Sequence, residues 1–105
     1  MFGNFLNKQM LSKMEGMKQQ LEEIKIKLEN ISVIGESDNG TCKVIATGNR
    51  TIKEIAINET FQVSASKSEI EFAVQQACNR ALEQASRVEQ AEMSHAAIGL
   101  LPGLG

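Results

Sequence analysis

The stretch MLSKMEGMKQQLEEIKIKLENI, residues 10–31, decides the fold. Met10, Met14, Met17, Leu21, Ile24, Leu28 and Ile31 recur in it at strictly alternating intervals of four and three. A repeat averaging 3.5 residues marks a helix whose apolar seam is buried along another helix. The helix is expected from about residue 4 to about residue 31, roughly 42 Å long. Gly16 inside it costs about 1 kcal/mol relative to Ala, so packing rather than intrinsic propensity has to hold the helix.

Beyond the seam, SVIGESDNGTCKVIATGNRTIKEIAINE, residues 32–59, is rich in β-branched residues and punctuated by Asn39-Gly40 and Gly48-Asn49. Both dipeptides tolerate the positive φ of two-residue hairpin loops, which predicts a three-stranded meander near 32–37, 41–47 and 51–57. Cys42, Val44 and Ala46 alternate against Lys43, Ile45 and Thr47, while Ile55 and Ile57 fall on one face with Lys53. Alternation is clean on neither strand. So small a sheet would expose both edges in a monomer, and exposed edges invite pairing with another chain.

Ser66 and Glu69 are spaced as a capping box, which opens a second long helix running to about Ser94. Its inward candidates are mostly small: Ile70, Ala73, Val74, Ala77, Cys78, Ala81, Leu82, Ala85 and Val88. A methionine and leucine stripe can press into such an alanine groove, either within one chain or across two. Two helices near 42 Å exceed a compact domain of this length, whose radius of gyration would be about 13 Å, so they are expected to project as arms. Residues 1–98 form one domain in this reading, and GLLPGLG, residues 99–105, a flexible tail.

Composition narrows the function. The 105 residues are 42% hydrophobic and 23% charged, with a formal net charge of −2, which suits one folded domain. Trp and Tyr are absent and Phe occurs only at 2, 5, 61 and 72, which disfavours aromatic platforms for single-stranded nucleic acid. The N-terminus MFGNFLNKQM carries no signal-like apolar block, no run is long enough to span a membrane, and Phe2 removes the glycine needed for myristoylation. The chain reads as cytoplasmic. Four Asn-X-Ser/Thr sequons, at Asn30, Asn39, Asn49 and Asn58, are therefore turn chemistry. Cys42 and Cys78 read as small buried hydrophobes in a reducing compartment.

No phosphate-cradling glycine loop is present, and the single histidine, His95, lacks neighbours with metal-ligand spacing. Glu22 and Glu23 are adjacent, so they diverge around the helix instead of forming a carboxylate pair. An enzyme, a metal, a cofactor and a small-molecule substrate are all unexpected. Charge is uneven: residues 1–20 carry Lys8, Lys13 and Lys18 against Glu15, whereas residues 59–105 carry six glutamates against Lys67, Arg80 and Arg87. The basic end is local and lacks the global excess typical of nucleic-acid binders.

The Met-Phe-Gly start, the Met/Gln/Lys heptad helix, Gly35-Glu36-Ser37, Gly40, Lys43-Val44, Gly48, the capped alanine-rich helix and the Leu-Pro-Gly tail together resemble the YbaB/EbfC family of bacterial nucleoid-associated proteins. The resemblance implies an α+β fold of order α-β-β-β-α, a tweezer-like homodimer with projecting helices, and nucleoid localisation. It also implies binding of duplex DNA with little sequence preference. Carried over by position, the contact candidates are Lys8, Lys13, Lys18 and Lys25 in the first helix and Arg80 and Arg87 in the last. This chain departs from the pattern in its acidic last helix. A second reading is a coiled-coil chaperone or assembly factor whose arms hold protein partners, since methionine-rich seams are adaptable.

Overall fold

A computed structural model describes the backbone of residues 2–100 and the side chains of residue 8 and residues 10–98. The expected α-β-β-β-α order is present. Helix α1 spans Phe2–Glu29, strands β1, β2 and β3 span Ser32–Glu36, Cys42–Thr47 and Ile52–Ile57, a short α2 spans Glu59–Ser64, and α3 spans Lys67–Leu100. The sheet is antiparallel in the order β1-β2-β3, so both β1 and β3 are edges.

Helix α3 lies over β1 and β2, and its alanines explain how closely it does so. Ala73, Ala77, Ala81 and Ala85, spaced four apart, are buried against Val33, Cys42, Val44 and Ala46. Gly35, paired with Val44, removes the last side chain between β1 and the helix backbone. The helix starts in the expected capping box: Glu69 N–H donates to Ser66 Oγ and Ser66 N–H to Glu69 Oε1, each at 3.2 Å.

Several local expectations need correction. A register shift between Ile45 and Ala46 leaves Lys53 unpaired and sets Ile52 across from Ala46, so it is Ile52 that continues the face of Ile55 and Ile57. That bulge is why alternation failed on β3. The loop after β1 is wider than two residues: a 3-10 turn, Asp38–Gly40, intervenes, with Asn39 and Gly40 both left-handed at φ 67° and 66°. In the loop after β2 the left-handed residue is Arg50, at φ 67°, instead of Gly48 or Asn49. Gly48 is selected by proximity, since its N–H donates to Leu28 and Ile31 carbonyls at 2.9 Å and a Cβ would meet Leu28. Helix α3 also continues past Ser94 to Leu100, and the remainder of the expected tail, residues 101–105, lies outside the described residues.

The heptad seam divides in two. Leu28 is buried at 2% exposure, and Ile24 is half-buried where α1 runs beside Met93, Ala96 and Ala97 of α3. Further out Met10, Met14 and Met17 stay more than half exposed. Internal packing therefore accounts for the inner part of the seam and leaves the outer part uncovered in one chain. The helices do project: the extents are 73 × 27 × 18 Å and the radius of gyration is 20.5 Å, against about 13 Å for a compact chain of this length.

Candidate nucleic-acid interface

The six basic candidates fall into two electrostatic settings. Lys8, Lys13, Lys18 and Lys25 all stand exposed along α1. Among the described residues none of the four has a carboxylate within ion-pair distance. At 100° per residue only Lys18 and Lys25 share a face. That pair, with Glu22 between them, lines a groove of about 470 Å³ together with the apolar Leu21, Ile24, Leu28 and Met93 and with Asn49 and Glu89.

Arg80 is engaged elsewhere. Its guanidinium donates to the Glu36 carbonyl at 2.8 Å and to Asp38 Oδ1 at 2.9 Å. Gln76 completes the arrangement, accepting from Asp38 N–H at 2.8 Å and donating Nε2–H to Asp38 Oδ2 at 3.0 Å. The Gln76 hydrogen bond, then the Arg80 hydrogen bond and charge, hold the Asp38 carboxyl below its ordinary pKa. Arg80 thus fastens the β1–β2 turn to α3. Arg87 pairs with Glu83 one turn earlier on its own helix at 2.9 Å. The heptad spacing of the two arginines is real, yet each already faces a carboxylate.

Three cations that sequence reading did not single out connect distant elements. Lys27 pairs with Glu92 at 2.9 Å, Lys53 with Glu29 at 3.6 Å, and Arg50 with Glu89. Only the Lys27–Glu92 pair joins α1 to α3, and no local spacing in the sequence announces it. The surface around α1 is therefore mixed, with bare lysines on the arm and neutralised cations where it meets the sheet and α3.

Cys42 is buried, and burial followed by the neighbouring Cys78 pushes its thiol pKa up, away from a nucleophilic thiolate. His95 is exposed, and among the described residues no three His, Cys, Asp or Glu side chains gather as a metal site. No described helix is long and apolar enough to cross a membrane.

Comparison with known proteins agrees with this architecture. Residues 3–100 match the model of the YbaB/EbfC DNA-binding family. A nucleoid-associated protein of Ruminiclostridium cellulolyticum is 29% identical, over 98% of this chain and 90% of that protein. One from Flavobacterium johnsoniae is 25% identical, over 90% and 88%. The crystal structure of an uncharacterized protein from Helicobacter pylori superposes with a TM-score of 0.62 over 83% of this chain and 98% of that one, at 18% identity, which shows a shared fold. With the family match spanning both helices and the sheet between them, the chain belongs to the YbaB/EbfC DNA-binding family.

Proposed function

We propose that the protein is a nucleoid-associated homodimer that binds duplex DNA with little sequence preference and so affects DNA organisation and gene expression. The observation that carries this reading is the set of exposed lysines along the projecting α1, Lys8, Lys13, Lys18 and Lys25, which have no carboxylate partner among the described residues. Lysine is a flexible point charge suited to phosphate, whereas base readout draws on side chains placed to make paired hydrogen bonds. Such an arm would grip the duplex backbone. The relatives named as nucleoid-associated proteins support the same partner and a location on the nucleoid.

The second copy is argued from the sheet. α3 covers β1 and β2 but leaves Ile52 and Ile55 of β3 at 40% and 47% exposure, beside a free strand edge. Open backbone donors and acceptors next to exposed isoleucines suit pairing with a like strand. Two arms per particle would then bring Lys8, Lys13 and Lys18 to the duplex twice, for about six phosphate contacts and a slope of log affinity against log salt near −5.

A mobility-shift titration with a duplex of arbitrary sequence at about 50 and 200 mM salt tests the reading, because phosphate-driven affinity collapses across that range. Absence of a shift even at low salt would refute it. The exposed Met10, Met14 and Met17 favour one alternative, the holding of protein partners between the arms. Apolar holding persists at the salt concentration that abolishes DNA binding.

A further inference from the structure

Arg50 sits at the tip of the β2–β3 turn in a left-handed conformation, φ 67°, that is strained for any residue with a side chain. Glycine or asparagine would adopt it more easily, yet an arginine occupies the position and reaches Glu89 of α3. Neighbouring Asn49 donates Nδ2–H to the Lys25 carbonyl at 2.8 Å, which fixes the turn against α1. Asn49, Glu89, Lys18 and Lys25 all line the same groove. The groove thus holds Lys18 and Lys25 with Glu22 between them on α1, and Glu89 opposite, which Arg50 reaches from the turn.

We propose that Arg50, with Lys18 and Lys25 along the same groove, forms a DNA-phosphate site, and that in the free protein Glu89 occupies the phosphate position on Arg50. The proposal rests on the DNA-binding reading above and adds to it one further contact residue and one internal competitor. A carboxylate and a phosphodiester present similar oxygens to a guanidinium, so an arriving backbone phosphate exchanges with Glu89. Glu89 is held on a packed helix at 33% side-chain exposure, so it competes at a high local concentration and keeps affinity low. This accounts for an acidic helix lying beside the basic arm.

Glu89→Gln removes the competing charge while keeping side-chain size, and an exposed ion pair contributes too little for its loss to unfold the chain. Glu71→Gln is the control, since it changes net charge equally from an exposed position about 27 Å along α3. In mobility shifts E89Q is expected to bind duplex DNA severalfold tighter than E71Q and to steepen the salt slope by about 0.9 per protomer as Arg50 gains a phosphate. Arg50→Gly relieves the positive φ and keeps the turn, and combined with E89Q it should erase the gain. Equal binding by E89Q and E71Q, or a gain that persists without Arg50, would overturn the proposal. Wild-type protein that fails to shift DNA at low salt would instead strike the DNA-binding reading itself.

Discussion

Gly35 of β1 and Ala81 of α3 are in backbone contact: a Cβ on Gly35 would stand 2.8 Å from the Ala81 Cα, and closer still to its nitrogen and to the Ala77 carbonyl oxygen. Those atoms belong to helix backbone and cannot rotate away. Gly35→Ala therefore has to lift α3 from the sheet, opening the packing of Val33, Val44 and the alanine stripe. We expect a loss of about 3 kcal/mol, the upper part of the overpacking range, and a melting temperature lower by more than about 10 °C. A thermal scan shifted by only a degree or two would show that the close approach is not real.

The divided seam makes two methionine and leucine positions behave differently. Leu28, 2% exposed, should lose about 2–5 kcal/mol as Leu28→Ala, because a cavity opens between α1 and the Gly48 turn. Met14, 61% exposed, should change by no more than about 0.5 kcal/mol as Met14→Ala if nothing covers it. Urea denaturation of the two variants decides the matter. A cost above about 1 kcal/mol at Met14 would mean that the outer seam is buried against a second copy.

Asp38 gives a prediction with a defined sign. Its carboxyl ionises at lower pH in the folded chain, through Gln76 and then Arg80, than it would unfolded. Its contribution is thus full above the unfolded value, about 4, and lost as pH falls through the lower folded one. Asp38→Asn should reduce stability at pH 7 and flatten the decline below about pH 4. Parallel denaturation curves for parent and variant at pH 7 and pH 3 provide the check. An unchanged pH dependence would remove the carboxylate from the clamp.

These outcomes bear on how far the chain could be read before folding. Helix α1 and the capped start of α3 were legible because their signals are local: the 4-3 spacing and the Ser66–Glu69 box. The short α2 has a signal that went unused, since the Asn58 side chain accepts from Phe61 N–H as an N-cap. Strand β3 resisted because α3 packs on β1 and β2 and leaves most of β3 exposed, and a bulge at Lys53 breaks the period. The α1 lysines were legible as exposed charges. Arg50 with Glu89 and Arg80 with Asp38 were not, because partners 39 and 42 residues apart meet only once the turns dock on α3.

Ile55 tests the proposed dimer. Ile55 pairs with Val44 on the α3 side of the sheet but lies beyond the helix at 47% exposure, so Ile55→Lys should leave a single chain folded, while a lysine buried where two β3 edges meet would be an unpaired charge. Light scattering is expected to give the parent twice the 11.5 kDa chain mass at low micromolar concentration and the variant a single chain. A monomeric parent would sink the tweezer arrangement, and a dimeric variant would move the interface away from β3.

Lys8, Lys13 and Lys18 lie on an exposed arm, whereas Arg80 and Arg87 are each held by a carboxylate, and this contrast separates their variants. Replacing the three lysines together by Gln leaves helix propensity almost unchanged, so the fold should melt as the parent does. It removes about six of the dimer's phosphate contacts, which should abolish the mobility shift at physiological salt and flatten the salt slope from near −5 toward zero. Arg80→Gln with Arg87→Gln should act the other way round. Loss of the Arg80 hydrogen bonds to Glu36 and Asp38 loosens the β1–β2 turn and lowers the melting temperature, while DNA affinity falls only modestly because those charges were already neutralised. Measuring both variants by thermal melting and by DNA titration distinguishes the two roles. A lysine variant that binds as the parent does would take the interface off α1, and an arginine variant that melts normally but no longer binds would place it on α3.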